Sequence, residues 1–367
     1  MKELYNNNKL FFIVLIIAVI GYLAWYFSGI LICIIIAGVI SIIGNPLVQL
    51  LDKIRIGKIR MPHSLRVIIT LLLIITVAVG LFSFFIPLVI DEVALVSTID
   101  WNKLVEYYGN EIKWLQNVLI QAGFIQKGAT VEMLLKANLA KFLDFSLFSN
   151  IVSGVISFTG TFFFHVFTIL FLSFFFLNDI KMMPRLLLLL IPEKYGEHTK
   201  NVMYRSKTLL SRYFIGLIIN VLVMIVSYSI ALSLAGARGA LVIAFFGGIV
   251  NIIPYIGPFI AIGTGIILGV TGVISAGFYG SIGSMALGIL IAMVIVIILD
   301  NFVYGPLIQG RSVKAHPVEI FLVIIAAGSI GGIPAMIVAV PGYAFLRIIA
   351  SEFFSQFRLI QKMKERE

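Results

Sequence analysis

Between Gly239 and Leu299 the chain contains no Asp, Glu, Lys, Arg or His, and this apolar run ends on Asp300 followed by Asn301. A carboxylate at the edge of such a run can hold a cation, exchange a proton or accept hydrogen bonds from hydroxyls. It can equally cap the end of a helix or pair with Arg311 or Lys314, which follow closely. Asn251 brings two donors and an acceptor to the stretch "NIIPYIGP" (251–258), where Pro254, Tyr255, Gly257 and Pro258 interrupt the same run. Its amide either meets a ligand or satisfies backbone groups freed by the break. Tyr255 either lines a cavity or packs. A second break, "GSIGGIP" (328–334), carries Ser329, Gly331 and Gly332. Histidine chemistry is sparse. His316 precedes Pro317 and reads as a turn residue before a proton relay, and His165 lies alone in an apolar stretch, as a helix-bundle hydrogen bond would. The four histidines (63, 165, 198 and 316) have no metal-ligand spacing, and no HExxH, GxSxG or P-loop pattern occurs. Neither catalytic nor metal-binding residues nor a cofactor are expected.

These residues need elements to position them, and the composition names the class. Hydrophobic residues make up 60% of the chain and charged residues 12%, with a mean hydropathy of +1.10. A soluble domain carries about 25% charged residues. Apolar segments recur at roughly 10–27, 29–50, 65–90, 151–177, 213–236, 240–270, 273–299 and 318–350. The chain therefore reads as an all-α polytopic membrane protein with about eight hydrophobic segments. The first two segments together span about 41 residues, about 61 Å as helix, which is two crossings of a hydrocarbon core about 30 Å thick. The first has no small-residue cleavage site and reads as a retained span. The lone Cys33 sits in the second span and excludes an intramolecular disulfide.

The net charge of +10 is distributed in short segments beside apolar runs, the pattern of a membrane protein and not of a nucleic-acid binder. Segment 51–66 holds Lys53, Arg55, Lys58, Arg60 and Arg66 against Asp52, and segment 178–212 holds seven bases against three acids. Both are expected in the cytoplasm, with the N-terminus and the basic tail 351–367. Segment 91–150 has seven acids and five lysines, so it is expected outside, as an amphipathic helical cap or spacer. Residues 1–90 then form three N-terminal spans and 151–350 a core. Residues 192–212 read as a helix with its basic face toward solvent or lipid headgroups.

Segments 240–270 and 318–350 are about 31 and 33 residues long, too long for one crossing and too short for two. Each is broken near its middle. Two re-entrant helical hairpins satisfy both facts, one entering from outside and one from the cytoplasm, a layout like an inverted repeat. It keeps Arg311 and Lys314 on the cytoplasmic side. Broken backbone at that depth must be buried by protein or face a wet cavity. The expectation is a site between the two hairpin tips, with half-helix N-termini facing the cargo and Asp300 and Asn251 nearby. Ala276, Gly280, Ser284, Gly288 and Ala292, at every fourth position, predict one smooth face for close helix packing or sliding.

"IPEKYGEHTK", "LLSRYFIGL", "GGIVNIIPYIGPFIAIGTGIILG", "LDNFVYGPLIQGRSVKAHP" and "GSIGGIPAMIVAVPGYAFLRII" follow one another in this order. This series resembles the autoinducer-2 exporter family of bacterial permease-like proteins, chiefly over 150–350. The resemblance implies a multi-pass transporter of the bacterial inner membrane, in contact with lipid and assembled from copies of itself, a pentamer among the options. It carries over Asn251, Pro254, Tyr255, Gly257, Pro258, Asp300, Pro306, Pro317, Gly331 and Pro341 as motif positions. Leu217 departs from the family, which often has glutamine after the glycine corresponding to Gly216, and this leaves the cargo open. The expected function is a secondary transporter exporting a small polar metabolite such as autoinducer-2. A sodium (or lithium)/proton antiporter is the alternative, and an envelope assembly factor or a passive channel stands outside that class.

Overall fold

The computed structural model describes residues 26–53, 61–97, 160–179, 191–309 and 316–353, with isolated positions within 15–23, 103–120 and 182–189. The expected first span, the basic tail beyond Phe353, and Arg311 and Lys314 lie outside these residues. The protein is an all-α polytopic membrane protein: the described residues form long apolar helices and no strand.

Two compact units divide the chain. The first contains 1–76 and 151–196, the second 77–150 and 197–367. In the first, α1 (Ser28–Lys53) and the start of α2 (His63–Ser97) meet α3 (Gly160–Asn178). Their core is Val48, Val67, Leu71 and Leu177. Gly44 lets the helices close up, since a Cβ there would lie 3.2 Å from Leu177 and 3.3 Å from Thr70. Polar contacts tie the ends: Asp52 pairs with Arg66, and the Ser64 hydroxyl donates to Asn178 Oδ1 at 3.1 Å. His165 lies on α3, its Nε2 3.4 Å from where a Cβ of Gly29 would stand.

The second unit is built on α4 (Gly196–Leu234), 39 residues and so about 58 Å long. Its first turns carry Lys200, Arg205 and Lys207, and its apolar part begins near Tyr213. After a turn with Gly236 (φ 74°) and Gly239 (φ 67°) the chain enters α5 (Ala240–Val250), breaks at 251–255, and returns as α6 (Ile256–Ser275). The two helices are antiparallel arms of one hairpin. A Cβ on Gly265 would lie 3.1 Å from Ile243, and one on Gly272 2.8 Å from Arg238, so contact runs from the tip to the base. At the tip a Cβ on Gly257 would collide with the Val250 carbonyl oxygen, which only glycine avoids. Pro258 stands in the first turn of α6, where its missing N–H costs no helical bond.

The chain then turns through Gly277 (φ 80°) and a short 3-10 turn, Tyr279–Ser281, into α7 (Ile282–Leu299). A ten-residue π-helix, Asp300–Gln309, continues α7. In α register the ring of Pro306 would press on the carbonyl four residues back, and a wider turn relieves that clash. The last element, α8 (Pro317–Phe353), folds back on itself at Gly331 (φ −137°, ψ 17°) and Gly332 (φ 62°, ψ −151°). Gly332 occupies a region that side chains bar. The Tyr343 hydroxyl donates to Glu319 Oε2 at 2.6 Å, and Met336 fills the space where Gly328 has no side chain. Both pairs are centred on residues 331–332, so α8 is a second hairpin with arms Pro317–Ile333 and Ala335–Phe353.

The hairpin bases sit at opposite ends of α4. The first follows its C-terminus within six residues. The second is fastened near its N-terminus, where Glu352 accepts from Asn201 Nδ2 at 3.3 Å and lies 3.1 Å from His198 Nδ1.

The small-residue face expected over 276–292 is divided by the turn at Gly277. Ala276 precedes it, Gly280 lies in the 3-10 turn, and Ser284 is exposed. Close packing comes instead from Gly265 and Gly269 of α6, which abut Met293 and Ile289 of α7. Among the described residues of 91–150, Tyr108 donates its hydroxyl to the Tyr279 carbonyl at 2.7 Å.

Candidate functional site

The break in the first hairpin does more than reverse the chain. It sets Asn251 at the C-cap of α5, in helical geometry, and Tyr255 at φ 63°, a rare conformation for a residue with a side chain. The tip formed in this way closes one side of a cavity of about 540 Å³. Asn251, Pro254, Tyr255 and Pro258 line it from the hairpin, and Tyr213, Leu217 and Asn220 line it from α4. Asp300, Asn301, Gly305 and Pro306 line it where α7 passes into the π-helix. Ile320 and Val340 complete it from the arms of the second hairpin, and the Tyr255 ring meets Phe321 edge-on at 6.1 Å.

Asp300 is the charged group of this lining. Its Oδ2 accepts a hydrogen bond from Asn251 Nδ2 at 3.3 Å. Its Oδ1 is buried with no hydrogen-bond partner, and the same is true of Asn220 Oδ1 in a side chain only 6% exposed. Among the described residues no base pairs with Asp300. The arrangement leaves two acceptor oxygens beside a cavity, in a region otherwise free of charge. A proton, a monovalent cation or a hydroxyl donor would each satisfy them, since an unmet buried acceptor costs about 1–3 kcal/mol.

The residues singled out from sequence separate here. Asn251, Pro254, Tyr255, Pro258, Asp300 and Asn301 come together in one lining. Asn301 gives its Nδ2 to the Ile297 carbonyl at 2.9 Å, so its amide donor is used on the helix end. Gly257 is buried at the tip contact and does not line the cavity. Ser329, Gly331 and Gly332 are exposed at the second tip and are not brought to it, and Ser329 donates to the Ala326 carbonyl at 2.8 Å. The second hairpin reaches the cavity through its arms near the base, because it enters from the opposite end and runs beside the first. His316 accepts from the Val318 N–H at 3.3 Å, a turn contact.

At the first break, the backbone donors that begin α6 are largely engaged within the chain. At the start of α6 the Ile256 N–H is bonded to the Pro254 carbonyl at 2.8 Å and the Gly257 N–H to the Ile253 carbonyl at 2.9 Å. Pro258 has none to offer. Two of the donors at the start of α6 are thus spent within the break, and the polar groups with recorded contacts at the site are the side chains of Asn251, Asp300 and Asn301.

Asn220 and Pro306 were not singled out as cavity residues from sequence. Asn220 had a signal, a lone amide inside an apolar span and three residues beyond Leu217. Leu217 lies in the cavity wall.

Comparison with known proteins supplies the family. The family model described as "AI-2E family transporter" matches residues 10–354. "Putative transport protein YueF" of Bacillus subtilis (strain 168) is 30% identical over 373 residues, covering 98% of this chain and 94% of YueF. "Putative transport protein YrrI" of the same organism is 30% identical over 186 residues, covering 51% of this chain and 50% of YrrI. A match across nearly the whole chain, over both units and both hairpins, places the protein: the chain belongs to the AI-2E transporter family.

Proposed function

We propose that this membrane transporter is a secondary transporter of the bacterial inner membrane that exports a small polar metabolite such as autoinducer-2, with its cargo held in the cavity at the tip of the first hairpin. The observation that carries this is Asp300. It is a carboxylate with one buried oxygen unpartnered, set beside Asn251 and Asn220 at the end of an apolar, charge-free run. Structural carboxylates in such surroundings are paired, whereas an unmet one suits a group that comes and goes. The bases in the first turns of α4 support a cytoplasmic placement of that end by the positive-inside tendency, and on this reading the cargo enters the cavity from the cytoplasm.

The same unmet oxygen favours a second reading, exchange of a monovalent cation for protons on Asp300. Purified protein in proteoliposomes separates the two. Export predicts saturable flux of labelled autoinducer-2 that Asp300→Asn lowers at least tenfold. Exchange predicts sodium-22 uptake driven by a pH gradient and abolished by the same substitution. Flux of either kind that is unaltered by Asp300→Asn would exclude the carboxylate from transport.

A further inference from the structure

On the side of the cavity toward the base of the first hairpin, the second unit is dry. Met224, Tyr228 and Leu232 of α4 pack there with Ile243 and Ala244 of α5 and with Met293 of α7. Tyr228 is 0% exposed, and its hydroxyl has no hydrogen-bond partner. Its ring lies on bare backbone: a Cβ on Gly247 would stand 3.4 Å from two ring carbons and 3.5 Å from Met293 Cε. Helical side chains lean toward the N-terminus of their helix, so Tyr228 points along α4 toward Met224 and Asn220, the cavity side.

A tyrosine hydroxyl buried without a partner is unusual, because the ring alone would fill the space. Here the unmet hydroxyl follows two unmet oxygens, Asn220 Oδ1 and Asp300 Oδ1, on elements that meet around the cavity. We propose that Tyr228 is the gate of the transport path: its ring, seated on Gly247, shuts the cavity off from the base of the first hairpin. The hydroxyl finds its partner when the gate opens and water or cargo enters. This rests on the reading of the cavity as the cargo site. The surroundings suit a moving ring. Gly247 presents no side chain to pass, and Met224 and Met293 are unbranched and refill space easily. The orphaned hydroxyl raises the energy of the closed arrangement, which keeps opening within reach.

The test needs no knowledge of the cargo. Leu217→Cys, in a background with Cys33→Ser, places a reporter in the cavity wall. A charged methanethiosulfonate is applied to sealed vesicles of either orientation. The parent is expected to react from the face where α4 begins and only slowly from the other. Tyr228→Ala should raise reaction from that other face at least tenfold, while Tyr228→Phe, which keeps the ring, should not. Reaction from the first face reports that each variant is folded, and Tyr228→Leu substitutes for the alanine variant if it is not. Unchanged far-face reaction in the variants lacking the ring overturns the gate, as does an equal rise with phenylalanine. A reporter that reacts from neither face in the parent overturns the cavity reading and the gate with it.

Discussion

Asp300 and Asn251 lie 49 positions apart in sequence, and their contact is what makes the site specific. Removing the Asn251 donor leaves both carboxylate oxygens of Asp300 unmet, a loss of about 1–3 kcal/mol where the charge stays buried. Asn251→Leu should therefore lower transport while leaving the protein extractable and monodisperse. Asn251→Asp replaces the donor by a second carboxylate, which cannot donate to the first and repels it when both are charged. It should weaken flux as well, and transport at parental rate in both variants would remove Asn251 from the site. Leu217 is the position where selectivity can be changed without touching the carboxylate. Leu217→Gln adds a donor and an acceptor to the wall, and one hydrogen bond is worth about 0.5–1.5 kcal/mol, or about two- to twelve-fold in apparent affinity. Competition between labelled autoinducer-2 and its dehydroxylated analogues would read that change. At this scale the sequence was partly legible. A lone carboxylate ending a charge-free run draws attention, as does an asparagine beside two prolines. Both were expected near one site, but their hydrogen bond was not legible, since it depends on where the hairpin tip ends against the junction of α7 and the π-helix.

The hairpins themselves could be read from length and breakers, because a 31-residue apolar segment with Pro254 and Pro258 at its centre has few alternatives in a membrane. Their manner of meeting could not. Each hairpin's reach follows from how its arms pack, and Gly248 shows how close that packing is: a Cβ there would lie 3.3 Å from the Val221 carbonyl oxygen and collide with Ile225. Nor did periodicity announce the π-helix, since its cause is the single clash of Pro306 with the turn before it. The two bends make different demands. Gly257 is required by contact and Gly332 by conformation, at φ 62° and ψ −151°. Alanine at Gly332 costs about 1–3 kcal/mol of backbone strain, and alanine at Gly257 a similar amount from overpacking. Both variants should unfold at lower temperature in detergent. Gly257→Ala should also lose transport, because it displaces Asn251, whereas Gly332→Ala, away from the cavity, should lose stability before it loses function. Equal transport in the two would mean that the tip of the first hairpin does not shape the site.

For the molecule as a whole, the consequential claim is where the hairpin bases emerge. Because α5 and α6 are antiparallel, Arg238 and Phe278 must surface on the same side, even though a long apolar segment separates them. Because Glu352 is fastened to His198 and Asn201 at the start of α4, His316 at the mouth of the second hairpin must surface on the other side. Two full crossings in place of two hairpins would exchange these relations, putting Arg238 and Phe278 on opposite faces. Cysteines at Arg238, Phe278 and His316, introduced singly with Cys33→Ser, distinguish the arrangements with an impermeant reagent on whole cells. The first two should react from outside and the third only after the cytoplasmic face is exposed. The bases in the first turns of α4, Lys200, Arg205 and Lys207, favour the same orientation. Reaction of His316→Cys from outside would invert the second hairpin, and with it the start of α4 to which Glu352 is fastened.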